Sequence, residues 1–302
     1  MKMTRNMRTL LFLSFLLFPV CSHGAESLRL VQPVLTDDKE GMMKSPQGVA
    51  CNNDGMFVVS DSGNGRLLTY TFKDEVVKWG AEIKVPQLNY PQMLQLNSKG
   101  EIYVFDGRQR RIVHLSPQGA FIGFLDIQGL PAGAAPIPIS FKIDDHDAIY
   151  VLDTFGERVL VLDAGGKFQR QIAFPANHGF ITDLAVGAGG NLYLLDSTAD
   201  MVYMAAKDAA SFAPLTKSLK GDMDFPIYIT TGPRGSTIYV VDQDGGGIIA
   251  LGTDGSYRTR MLSMGWKAGY LSYPGQICID SKDTVFVADR DNNRVQIFEM
   301  KK

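Results

Sequence analysis

One motif recurs six times along this chain of 302 residues, and it limits the architecture more than any other feature. Each copy reads as an apolar strand, a hairpin turn, a second apolar strand ending in Asp, a polar loop and a third apolar strand. The marker is Asp61, Asp106, Asp153, Asp196, Asp242 and Asp289, at intervals of 45, 47, 43, 46 and 47 residues. In the first copy Pro46 leads to Asp61 and then Arg66; in the last, Pro274 leads to Asp289 and then Arg294. Asp54-Gly55, Lys99-Gly100, Gly189-Gly190 and Asp254-Gly255 give the hairpins residues that accept positive φ. A fourth apolar run, such as Phe121 to Ile127, precedes the next copy. Four-stranded repeats of this length, with almost no helical periodicity, predict an all-β, six-bladed β-propeller of four-stranded antiparallel blades. The sixth copy is one outer strand short and the run Leu28 to Val34 is unassigned. The expected ring is therefore closed by an N-terminal strand laid on Val295 to Phe298.

Residues 1–25 read differently. Lys2, Arg5 and Arg8 precede an apolar run from Leu10 to Val20, followed by Ser22, Gly24 and Ala25, the three regions of a secretory signal. The expectation is cleavage near Ala25, a single propeller domain over 26–302, and a periplasmic or extracellular location. The apolar run is about half the roughly 20 residues that a spanning helix needs, so no transmembrane helix is expected in the mature chain. Removing three bases and no acids from a total of 30 and 32 leaves a mildly acidic protein. Such a balance disfavours a nucleic-acid backbone as partner.

At Asp61 to Arg66, Asp106 to Arg111, Asp153 to Arg158 and Asp289 to Arg294, together with the Pro-x-Gly start at Pro46, the sequence resembles the NHL repeat family. Copies four and five depart from it, with Met201 and Gly247 where Arg would stand. The resemblance implies a six-bladed propeller used mostly as a platform for protein partners, sometimes for nucleic acid, with a few enzymatic relatives. The Asp–Arg pairs recur in several blades at one structural position, which argues for architecture rather than catalysis.

Candidate chemistry is sparse. Amidating-lyase propellers use a His-coordinated zinc, but His114 falls in a third strand, His146 in a hairpin and His178 in a blade connection, so no convergence is expected. Lactonases of the gluconolactonase and regucalcin kind hold calcium on channel-facing carboxylates and amides. The corresponding first-strand positions here are Gln47, Gly48, Gln92, Met93, Ile139, Ser140, Thr182, Asp183, Tyr228, Ile229, Gly275 and Gln276, with a single carboxylate, Asp183, among them. Asp244 and Asp291 are further acids in nearby loops. No serine elbow, phosphate cradle or haem attachment motif is present, so neither a cofactor nor a metal is expected. Cys51 and Cys278 fall nearly in register on first strands that adjoin at the closure; they either meet or point apart, and separate thiols are expected because neighbouring first strands are often too far apart to bridge.

The loops from second to third strand and from blade to blade share one face. They carry Arg108, Arg110 and Arg111 on one side, Asp244 and Asp291 on another, and the aromatics Tyr90, Phe180, Phe225, Trp266, Tyr270 and Tyr273. Arg and aromatic side chains make good anchors. The main expectation is thus a non-enzymatic, monomeric scaffold that binds a protein or peptide of the cell envelope through Arg108, Arg110, Trp266, Tyr270, Tyr273, Asp244 and Asp291. Two alternatives are a metal-assisted lyase or lactonase with its site over the channel, and a glycan binder using Trp266 and nearby tyrosines.

Overall fold

A computed structural model describes residues 26–131 and 135–301. The proposed signal segment, residues 1–25, lies outside the described residues. The chain forms six four-stranded antiparallel sheets arranged as blades. After β1 (Ser27–Val34), blade one holds β2 (Gly48–Cys51), β3 (Met56–Asp61), β4 (Arg66–Lys73) and β5 (Val76–Ile83). Blade two holds β6 (Pro91–Leu96), β7 (Ile102–Asp106), β8 (Arg111–Leu115) and β9 (Phe121–Phe124); blade three holds β10 (Pro138–Ile143), β11 (Ile149–Asp153), β12 (Arg158–Leu162) and β13 (Phe168–Ala173). Blade four runs β14 (Ile181–Val186), β15 (Leu192–Asp196), β16 (Met201–Ala205) and the short β17 (Ala213–Pro214). Blade five runs β18 (Pro226–Thr231), β19 (Thr237–Asp242), β20 (Gly247–Gly252) and β21 (Tyr257–Met261). Blade six has β22 (Ile277–Ile279), β23 (Thr284–Asp289) and β24 (Arg294–Lys301), and β1 supplies its outer strand, with Leu28 opposite Met300 and Val34 opposite Val295. No helix among the described residues is long and apolar enough to cross a membrane.

Second strands such as Ile149–Asp153 and Leu192–Asp196 are buried at every position, because both of their faces pack against neighbouring blades. The core is accordingly a series of clusters between blades. At the junction of blades six and one, Phe57 lies 4.7 Å from Phe286 and 5.0 Å from Tyr70, centroid to centroid.

The marker Asp has one job in all six blades. Each is wholly or almost wholly buried and accepts a backbone N–H from the connection that enters its own blade: Lys44 to Asp61, Asn89 to Asp106, Ile137 to Asp153, Gly179 to Asp196, Asp224 to Asp242 and Ser272 to Asp289. The polar loop then turns through a left-handed residue just before the third strand, namely Gly65, Arg110, Glu157, Asp200, Gly246 or Asn293. That turn sets the five-residue step to the Arg position.

The arginines behave less uniformly. Arg66, Arg158 and Arg294 reach their own markers at 2.7, 2.9 and 2.7 Å. Arg111 instead lies over the Phe124 ring, 3.7 Å from its centroid, while Asp106 accepts the backbone N–H groups of Tyr90, Arg108 and Gln109. In blade five the guanidinium comes from another strand: Arg260 of β21 meets Asp242 at 2.8 Å, crossing the space that Gly247 leaves empty.

Cys51 and Cys278 form a disulfide, with Cα atoms 5.9 Å apart, which corrects the expectation of separate thiols. The two first strands approach closely at this junction because Gly275 lets their backbones come together. A Cβ on Gly275 would stand 2.3 Å from the Gln47 carbonyl oxygen.

Candidate functional site

Two adjoining concavities on the loop-rich face bring polar groups together. Over the channel axis is a cup of about 120 Å³, lined by Gln47, Gln92, Met93, Ile227, Tyr228, Gln243, Gly275, Gln276 and Arg290. Gln47 donates to the Tyr90 hydroxyl at 2.6 Å and accepts from Gln92 at 3.0 Å, so the amides form a linked rim. Gln276, 2 % exposed, accepts from the Leu94 N–H and donates to the Leu94 carbonyl at 3.0 and 2.8 Å, and it donates to the Tyr228 hydroxyl at 3.3 Å. It thereby ties blade six to blade two over Gly48 of blade one.

Below the cup a second buried group ties the opposite side of the ring. Asp183 of β14 accepts from the Ser140 hydroxyl, from the Lys142 ammonium at 3.0 Å and from the Ile229 N–H at 2.9 Å. The Lys142 nitrogen also lies 3.6 Å from the centroid of the Tyr228 ring. Blades three, four and five are joined through these contacts.

The larger cavity, about 820 Å³, lies between blades four and five and is lined by Ser197, Asp200, Lys220, Asp222, Asp224, Phe225, Asp242, Asp244, Tyr257 and Arg260 among others. Partial desolvation pushes the Asp244 carboxyl above its ordinary value, the nearby Asp224 and Asp242 add to this, and Arg290 pulls the other way. Asp200 is likewise pushed up, by burial first and then by Asp242, with Lys220 opposing. Gln243 of the cup and Asp244 of the cavity are neighbours on one loop, so the two spaces share a border.

The other residues singled out from the sequence lie as follows. Arg108 and Arg110 are exposed, and Arg108 sits 5.9 Å from the Tyr90 ring centroid. Asp291 pairs with Arg290 at 2.9 Å, and Arg290 lies 5.4 Å from the Tyr273 ring centroid. Trp266 is 79 % exposed, at the tip of a loop whose backbone is bonded by Asn292, Arg294 and Gln296. Tyr270 and Tyr273 are exposed beside it. The histidines stand apart: His114 stacks on Tyr103, His178 packs edge-on to Phe174, and His146 is in an exposed hairpin with Asp144 and Asp145. That hairpin holds the sole group of three metal-ligating side chains found close together among the described residues, and it lies at the end opposite the cup.

Sequence reasoning missed Arg290, Lys142 and Arg260. Arg290 was hidden because it directly follows a marker, at a position where the other blades have Ser62, Gly107, Thr154, Ser197 and Gln243. Lys142 acts across blades, which no pattern within one repeat reveals, and Arg260 reaches its marker from the fourth strand, outside the Asp-to-Arg step.

Comparisons with known proteins follow the same lines. Residues 271–298 match the family model described as NHL repeat. No sequence among curated proteins matches the chain. Among solved structures, it is similar to virginiamycin B lyase from Staphylococcus aureus, with 14% identity, a TM-score of 0.63, and 90% of this chain and 99% of that one covered. A gluconolactonase from Xanthomonas campestris shares 12% identity at a TM-score of 0.62, covering 93% and 99%. A PQQ-bound aldose sugar dehydrogenase from Streptomyces coelicolor shares 13% at 0.64, covering 91% and 98%. At these identities the likeness establishes the six-bladed fold. It also corrects the expectation that the chain is not an enzyme. That expectation rested on the lack of a histidine or carboxylate cluster at first-strand positions, whereas this frame at this length serves a lyase, a lactonase and a dehydrogenase, and titratable groups here stand on the loops.

Proposed function

We propose that the chain is a propeller enzyme of the lyase or lactone-opening kind, acting on a small polar molecule over the channel mouth. The observation that carries this reading is the border between cup and cavity, where Arg290 and the amide rim face the cup and Asp244, a carboxyl raised above its ordinary value, faces the cavity. Both reaction classes need the same two parts. A base takes a proton, from carbon beside a carbonyl in an elimination or from water in ring opening. A donor then stabilises the negative charge gathering on the carbonyl oxygen. A raised carboxyl is the stronger base, and Arg290 with the Gln side chains offers the donors. The three structural neighbours, each an enzyme by its name, support the reading.

The test is a turnover panel of aldonolactones and cyclic depsipeptide lactones. Asp244→Asn and Arg290→Ala should each lower kcat/KM by about 100-fold or more with an unchanged melt. The acid limb of the rate profile should lie above the ordinary aspartate value, because Asp244 must be ionised to act. No turnover across the panel, or full activity in both variants, rejects the proposal.

Partner binding is a second reading, favoured by one observation: Trp266 is held exposed on a loop that blade-six side chains fix in place. A rigid aromatic loses little freedom on docking. Crosslinking in envelope extract with wild type and with Trp266→Ala tests it; equal capture by both rejects it. Export to the periplasm or outside the cell belongs to the proposal as well, supported by the Cys51–Cys278 disulfide, since such bonds persist in oxidising compartments.

A further inference from the structure

A metal-assisted form of this chemistry would need uncommitted oxygen ligands on the channel axis, and the principal ones there are already engaged. Hard divalent cations take six to eight oxygens, carboxylates foremost. Around the cup the oxygens belong to amides and phenols, and two are already committed: the Gln276 carbonyl oxygen to the Leu94 N–H and that of Gln47 to Gln92. The axial carboxylate, Asp183, is wholly buried and already accepts three hydrogen bonds, from Ser140, Lys142 and Ile229. One of those donors is itself a full positive charge, with its side chain 7% exposed.

We propose that Lys142 is the channel's resident cation. Its ammonium occupies the place on Asp183 that a metal ion would need, and it repels a second cation from that place. The chain thus carries at its axis a covalently attached positive charge. The same ammonium lies on the face of the Tyr228 ring, where the π electrons attract it, and so fixes the phenol that floors the cup. Lys142 acts through Tyr228 and Asp183 and is a positioning residue. The inference rests on the reading above for the claim that the cup is where a ligand binds, and it adds that binding there needs no divalent ion.

The test does not depend on turnover. Metal-free wild type, Lys142→Ala and the double variant Lys142→Met/Asp183→Asn are titrated with CaCl2 and MnCl2, reading the melting temperature and bound Mn2+ by equilibrium dialysis. Wild type and the double variant should melt within about 1 °C of their metal-free values and hold no axial ion. Lys142→Ala, which leaves Asp183 without its cation, should gain one site and a rise of several degrees. One equivalent bound by wild type and lost in the double variant overturns the proposal, as does a folded Lys142→Ala without affinity for either ion. If Lys142→Ala does not fold, wild type against the double variant decides, because replacing both charges by neutral groups is the tolerated change. An inactive protein that still follows this pattern would sink the enzymatic reading and leave Lys142 as resident cation; an active protein with a wild-type axial metal would do the reverse.

Discussion

The bond between Cys51 and Cys278 closes a loop across a sequence separation of 227 residues and joins the first strands of blades one and six. Those are the two blades whose contact completes the ring. A cross-link acts mainly by removing conformations from the unfolded chain, and its effect grows with the logarithm of the loop it closes. For a loop of this size the chain-entropy relation gives about 5 kcal/mol at 25 °C. At about 2 °C per kcal/mol for a domain of this length, the expected fall in melting temperature is roughly 10 °C. The comparison is wild type against Cys51→Ala/Cys278→Ala by scanning calorimetry, with dithiothreitol as a second perturbation that should move wild type alone. The strands β1 and β24 hold the same closure by backbone bonding, so the variant should still fold. A shift under about 2 °C would refute the reasoning, because it would mean that the unfolded chain gains almost nothing when the link is cut.

Three further outcomes follow from single positions. A Cβ on Gly48 would stand 2.1 Å from the Gln92 carbonyl oxygen and 2.8 Å from Leu94 Cδ2; Gly48→Ala should therefore cost about 1–3 kcal/mol in a denaturant titration, while Gly123→Ala, which meets nothing within 4 Å, should cost far less. Ser60 is wholly buried and its hydroxyl has no partner, so Ser60→Ala should leave stability unchanged or raise it by about 1 kcal/mol, and a clear loss in the same titration would show a bonded hydroxyl. The Gly41 N–H, then the Lys39 N–H and Arg66, hold the Asp37 carboxyl below its ordinary value against the opposing effect of burial. That stability is present above the unfolded carboxylate value near 4 and is lost as pH falls through the lower folded one, so Asp37→Asn should lower the melting temperature at neutral pH and by progressively less as the pH is taken down through that lower value.

The ring was readable because its determinants lie within one repeat: an even interval, period-two strands, glycine at the hairpins and a fixed step from Asp to the third strand. What stayed hidden depends on side chains that act outside that step, from another strand of the same blade or from a neighbouring blade. Gly247 looked like a lost arginine, yet Arg260 brings a guanidinium to Asp242 from the fourth strand. Asp183 looked like a lone acid facing the channel, yet Lys142 on the preceding blade's inner strand pairs with it. Cys51 and Cys278 were in register, but whether they bond depends on how closely two backbones approach, which Gly275 governs. The candidate site was the least legible part, since Arg290 and Asp244 come together through loops of different blades.

Because each marker Asp bonds the segment that leads into its own blade, the unit of cohesion is a connection plus the blade after it. The seam between units lies just past a fourth strand, near residues 84–87 for the first two blades, and no marker contact crosses it. A chain opened at such a seam and rejoined elsewhere keeps all six of these contacts, whereas one opened between Asn89 and Pro91 separates Asp106 from the N–H groups it holds. Whole units, cut at seams, are thus the pieces by which a ring of this kind can be rearranged or lengthened.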